Sequence, residues 1–174
     1  MNHNPHGLLL DKQLRPHFQP LQMHTEDWAH VYLCNGIGGG ELWHVLDHLK
    51  PRDVKYDTFK KEMQLWKWPK HHTGGKGVWR LFSDERATAN TEGWKSSASE
   101  FLMIYPIVLD WISTNVREHM PGEVEPFRRL CAVLDYIQAL KRGIVRDTRR
   151  LHALIEAHLH QHKLVYGSGH WMPK

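Results

Sequence analysis

Cysteine is scarce in this 174-residue chain: Cys34 and Cys131 are the only two, far apart and outside any paired-cysteine zinc spacing. A small secreted scaffold stapled by disulfides is thereby excluded. Long apolar runs are missing too. The longest, Phe101 to Leu109, is broken by Pro106 and closed by Asp110, well short of the roughly 20 apolar residues that span a bilayer. Gly7-Leu8-Leu9-Leu10 is too short for a signal-peptide core and Asp11 follows at once, so the expectation is an intracellular protein with no membrane partner. Neither sign of charge dominates. Lys and Arg number 23 against 19 Asp and Glu, a net charge of +4 that permits a polyanionic partner without requiring one.

What is abundant is histidine, with 15 residues, and tryptophan, with 8. The aromatic content argues for an ordered core, and the histidines offer many metal ligands and a charge that rises in acid.

Residues 1–23 lack hydrophobic periodicity, contain Pro5, Pro16 and Pro20, and read as an extended lead-in. Residues 24–174 read as a single, mainly helical domain with few or no strands. From Trp28 the apolar positions Val31, Tyr32, Leu42, Val45, Leu46 and Leu49 share one helical stripe if Asn35, Gly38 and Gly39 fill it between them. Glycine's helix cost favours a break at 36–40; the unbroken register favours one helix over 28–49 with a glycine-smooth contact patch. We take the continuous helix as the expectation.

A short helix is expected over Tyr56 to Trp66, followed by a loop rich in breakers and cations through Gly77, and another helix over Val78 to Ala89. Ser97-Ala98-Ser99-Glu100 is a capping box opening an apolar helix to about Arg117, kinked at Pro106. A further helix is expected from Pro126 to Leu140, with Gly143 just beyond its end, and Asp147 caps a last one carrying Leu151, Leu154, Ile155 and Leu159.

Several residues could carry chemistry. The glycine clusters at 36–40 and 74–77 lack both the dinucleotide fingerprint and the Gly-Lys-Ser/Thr of a phosphate loop. His44 with His48, and His158 with His162, stand four apart on expected helices, the spacing at which two rings share a metal. Neither pair has an evident third ligand, and His158 and His162 lie near an apolar stripe, where hydrogen-bonded core histidines are common. Glu26 and Asp27 either cap a helix start or, in Asp27, offer a ligand for Mg²⁺ or Mn²⁺. Glu100 belongs to its capping box, or is a ligand if that helix start faces a groove. Glu156 reads as solvated surface. Cations interleave with aromatics in Trp66, Lys67, Trp68, Lys70, Lys76, Trp79 and Arg80, and a second basic cluster holds Lys141, Arg142, Arg146, Arg149 and Arg150. Such residues neutralise phosphates and stack on bases, or simply cover a solvated face.

The order of the motifs adds a resemblance. Glu26-Asp27-Trp28-Ala29-His30-Val31-Tyr32 and a long glycine-tolerant helix come first, then Leu65-Trp66-Lys67-Trp68-Pro69-Lys70. Lys95-Ser96-Ser97-Ala98-Ser99-Glu100 follows, and Gly169-His170-Trp171-Met172-Pro173-Lys174 closes the chain. This resembles the second half of a eukaryotic cut-and-paste transposase of the DDE type, across most of residues 24–174. In that family an Asp-x-Met-His motif supplies the second metal-binding aspartate of an RNase H-like core, and a helical insertion follows. Ala29 stands here where Met is usual.

The resemblance implies a helical insertion and C-terminal part of an RNase H-like domain. Asp27 would be the second catalytic aspartate and a Mg²⁺ or Mn²⁺ ligand, with His30 its motif partner and Glu100 either the third acid or a cap. Lys67, Trp68, Lys70, His71, Lys76 and Arg80 would touch DNA. The expected protein is transposon-derived, DNA-binding and nuclear. It would be an incomplete catalytic region, inactive without the missing N-terminal half that carries the first aspartate. Self-association is left open. The alternative is a non-catalytic helical module that binds nucleic acid or protein.

Overall fold

A computed structural model of the chain describes residues 32–33, 36–49, 56–66, 81–83, 86–88, 93–116 and 121–167. Five helices and one two-stranded hairpin make up these segments, so the mainly helical expectation holds.

Helix α1 spans Ile37–Leu49. The continuous helix expected over 28–49 does not form, because Leu33 lies in a turn and Gly36 in a bend. The reason is tertiary. A Cβ on Gly38 would sit 2.5 Å from the Tyr32 carbonyl oxygen and 2.6 Å from Cζ of Phe101, and one on Gly39 would sit 2.8 Å from the Trp94 carbonyl oxygen. The contact patch read from the glycines is therefore present, while the helix starts inside it. From there Leu42, Val45, Leu46 and Leu49 bury the helix's apolar face.

Helix α2, Tyr56–Leu65, agrees with its expected span and buries Phe59 and Met63, one turn apart. The helix expected over Val78 to Ala89 is a correction. Leu81 and Phe82 are buried, but Ala87–Thr88 form strand β1, paired antiparallel with β2, Gly93–Trp94, in the register Ala87 to Trp94 and Thr88 to Gly93. The Lys95 amide donates to the Arg86 carbonyl at 2.9 Å and extends the pairing. Trp94 is only 1% exposed, so burying its indole decides the local backbone over helix propensity.

Helix α3, Ala98–Asn115, starts where its capping box says it should. The Glu100 amide donates to Ser97 Oγ at 3.3 Å, and the Ser97 amide donates to Glu100 Oε2 at 2.8 Å. Pro106 lies on the exposed side of a helix that runs on through it. Helix α4, Pro121–Lys141, begins five residues before the expected Pro126. Pro121 takes the first helical position, where a missing amide costs nothing. Pro126 is buried further in, because Val124 and Phe127 both belong to the core. Gly143, with φ +71°, ends α4, and its amide donates to the Leu140 carbonyl. Asp147 Oδ1 then accepts from the amides of Arg149 and Arg150 and caps α5, Thr148–Tyr166.

The short 142–147 connection folds α5 back along α4, its most extensive partner. Two tyrosines mark the antiparallel ends: Tyr136 donates to the Asp147 carbonyl, and Tyr166 donates to the Glu123 carbonyl. Helices α1 and α3 pack on other faces of α4, and α1 also packs on β2. Phe59, Phe82, Trp94 and Trp111 form an aromatic cluster joining α2, the hairpin and α3, where Trp111 donates its indole N–H to Glu62. No described helix is long and apolar enough to cross a membrane.

Candidate functional site

The most unusual chemistry among the described residues is buried where α5 crosses α1. Glu41 is fully buried on α1, and so is His158 on α5, with His162 3% exposed. One carboxylate oxygen serves both rings: His158 Nε2–H donates to Glu41 Oε1 at 2.9 Å, and His162 Nδ1–H donates to the same oxygen at 2.6 Å. Burial by itself would push the Glu41 carboxyl up, but the hydrogen bonds and positive charge of the two rings outweigh it and hold it below its ordinary value. Glu41 Oε2 has no hydrogen-bond partner among the described residues.

The surrounding wall is aromatic and polar. His44, one turn along α1 from Glu41, stacks on Tyr166 with ring centroids 4.3 Å apart and turns its edge to His162 at 5.9 Å. His48 Nδ1–H donates to the His44 carbonyl at 2.8 Å, so the His44 and His48 rings do not converge on one point. Burial, then the negative charge of Glu41 and Glu123, drives the Tyr166 phenol far up. Burial, then Asp135 and Glu41, raises the Cys131 thiol.

The His158 and His162 pair thus forms the hydrogen-bonded core arrangement weighed for it in the sequence. The spacings are those of hydrogen bonds. Two ligands tetrahedral about zinc at ~2.0–2.1 Å would stand about 3.3 Å from each other. Among the described residues no group of three or more His, Cys, Asp or Glu is arranged to hold a metal ion.

Of the acids singled out for catalysis, Glu100 is described. Besides capping α3, its carboxylate accepts from both terminal nitrogens of Arg86, at 3.1 and 3.4 Å. Burial first raises its carboxyl, but the Ser97 amide and the Arg86 guanidinium bring it below the ordinary value. Both oxygens are engaged, and a divalent cation bound there would have to displace Arg86 and open the cap. That does not fit a metal ligand. Asp27 and His30 lie outside the described residues, as do Lys67, Trp68, Lys70, His71, Lys76 and Arg80. Glu156 is solvated, as read from the sequence, with His152 at 3.5 Å.

The second basic cluster is described in full. Lys141 ends α4, Arg142 and Arg146 lie in the connection, and Arg149 and Arg150 open α5; all five are exposed. They gather at one tip of the α4–α5 hairpin, with the Arg150 guanidinium 5.7 Å from the centre of the Tyr136 ring.

Glu41 is the residue that sequence reasoning passed over. Its signal was an acid four residues before Val45 and eight before Leu49, inside the apolar stripe of α1. A carboxylate in such a stripe needs buried donors, and the chain supplies them 117 and 121 residues away.

No protein-family profile, curated protein or solved structure matches this chain.

Proposed function

We propose that this chain is a transposon-derived, DNA-binding protein, resembling part of a DDE transposase and unable to cut DNA with these residues alone. The observation that carries the DNA-binding part is the tip of the α4–α5 hairpin, where Lys141, Arg142, Arg146, Arg149 and Arg150 are all exposed. Exposed cations gathered at one tip can neutralise neighbouring phosphates together. The net charge of +4 favours the same partner. The transposase part rests on the resemblance around Asp27 and His30 and on the order of the motifs. Mg²⁺ or Mn²⁺ would belong to the complete catalytic domain. Because the Glu100 carboxylate is committed to its cap and to Arg86, no step through such a metal is derived for these residues. Nuclear residence is part of the same proposal.

The test is salt-dependent binding of the full chain to labelled duplex and single-stranded DNA. Neutralising Arg142, Arg146 and Arg149 should lower affinity at every sequence and flatten the log–log salt dependence by roughly 0.9 for each duplex phosphate that is no longer neutralised. No affinity at low salt would refute the proposal. Unchanged affinity in the triple variant would remove the tip from it. The second reading, a helical module that binds protein, is favoured by Ile144, 69% exposed on the same tip among the arginines.

A further inference from the structure

Helix α4 runs out into a hydrogen-bonded turn around Gly143. The Gly143 amide donates to the Leu140 carbonyl at 2.9 Å, the Ile144 amide donates to the Ala139 carbonyl at 2.9 Å, and Gly143 has φ +71°. In this Schellman pattern an apolar residue after the glycine ordinarily folds back onto the last turn of the helix. Ile144 holds that position and stays out: it is 69% exposed, while its neighbour Val145 is half-buried.

We propose that Ile144 is a wedge that enters a DNA duplex from the minor groove and partly unstacks one base step, with the cations of the tip on the flanking phosphates. The proposal rests on the DNA-binding reading above and adds what the tip does to the duplex.

Charge and size point to this occupant. Arg142 and Arg146 stand two positions either side of Ile144, and Lys141, Arg149 and Arg150 lie just beyond them. None of the five forms an ion pair with a carboxylate among the described residues. Asp147 is the one acid between 141 and 150, and its Oδ1 is committed to the Arg149 and Arg150 amides. The apolar part of the tip is a single side chain. The other large apolar side chains exposed among the described residues are Leu65, which ends α2, and Leu164, about 21 Å along α5 from Arg150. A stable protein interface takes roughly 800 Å² from each partner, far more than one isoleucine offers. A lone aliphatic side chain beside arginines and lysines is, by contrast, what minor-groove proteins insert between base pairs, kinking the duplex by about 20–90°.

The test uses the full chain and a short duplex with a dye at each end and 2-aminopurine beside a central TA step, a kind that kinks and unstacks easily. Binding should bring the dyes closer and raise the 2-aminopurine fluorescence as its base unstacks. Ile144→Ala should lose both signals yet keep the log–log salt slope, because its phosphate contacts are untouched. Ile144→Leu should keep both signals. A straight duplex in the wild-type complex, or an equal bend with Ile144→Ala, would overturn the wedge and leave DNA binding standing. No affinity at low salt would refute the DNA-binding reading and the wedge together. Vesicles of phosphatidylserine are the second probe: vesicle binding that Ile144→Ala abolishes, with no bend in DNA, would overturn the proposal in favour of a membrane surface.

Discussion

Gly38→Ala is the sharpest test of the packing argument, because the same substitution elsewhere in the chain should act in the opposite direction. A methyl group at position 38 would lie 2.5 Å from the Tyr32 carbonyl oxygen and 2.6 and 2.8 Å from two carbons of the Phe101 ring. Phe101 is fully buried among the core residues, so its ring yields only by disturbing their packing. The carbonyl belongs to backbone and moves only if the chain entering α1 moves with it. Overpacking of this kind costs about 1–3 kcal/mol, and two obstructed directions place this site in the upper part of that range. Alanine's better helix propensity offsets at most about 1 kcal/mol. A net loss of about 1–2 kcal/mol corresponds to a fall in Tm of roughly 2–8 °C for a chain of this size.

Gly122, also in the first turn of a helix, has nothing within 4 Å of where its Cβ would be. Gly122→Ala should therefore stabilise by up to about 1 kcal/mol, since it removes only backbone freedom from the unfolded chain. Thermal and urea unfolding of the two variants beside wild type reads both signs in one experiment. Equal stability of Gly38→Ala and Gly122→Ala would refute the claim that glycine at 38 is demanded by close approach.

Two further perturbations test the electrostatics. Ser97→Ala removes one half of the α3 capping box and should cost ~1 kcal/mol in urea unfolding, with a smaller loss for Ser97→Asn, which can still cap. Glu41→Gln should cost about 1.5–3 kcal/mol at pH 7, where the charged acceptor of two hydrogen bonds is lost. Because folding lowers the Glu41 carboxyl from its ordinary 4.5, its contribution is fully present above that pH and disappears as pH falls through the folded value. The Tm gap between wild type and Glu41→Gln should accordingly close below pH 4.5, and a gap that widened in acid would show the sign to be wrong.

The capping box of α3, the Asp147 cap of α5 and the left-handed Gly143 after α4 were legible because each is a contract between residues a few positions apart. Side-chain oxygens, backbone amides and glycine's tolerance of positive φ act locally, so a string of residues contains the whole interaction. The mainly helical class and the span of α2 follow from the same local chemistry. Where α1 and α4 begin was not legible, since both starts depend on what packs there. Trp94 and Phe101 crowd the first turn of α1, and the core draws Val124 into α4 ahead of Pro126, the proline that looked like its start.

The hairpin was hidden for a related reason. Ala87–Thr88 and Gly93–Trp94 are too short to show periodicity, and only the burial of Trp94 against α1 makes the pairing worthwhile. The same division runs through the candidate sites. The exposed cations at 141–150 could be collected from the sequence because they sit on one turn and its flanking helix ends. The histidines at 158 and 162 could be paired by helical spacing, and their hydrogen-bonded role weighed, but nothing local names Glu41 as the acceptor. Composition and short-range stereochemistry settled the mainly helical class, the span of α2 and the caps of α3 and α5, but not the segment at 78–89. Which buried acid meets which buried base was decided by the folding of α5 across α1, because burial makes a polar group seek any partner within reach, however distant in the chain.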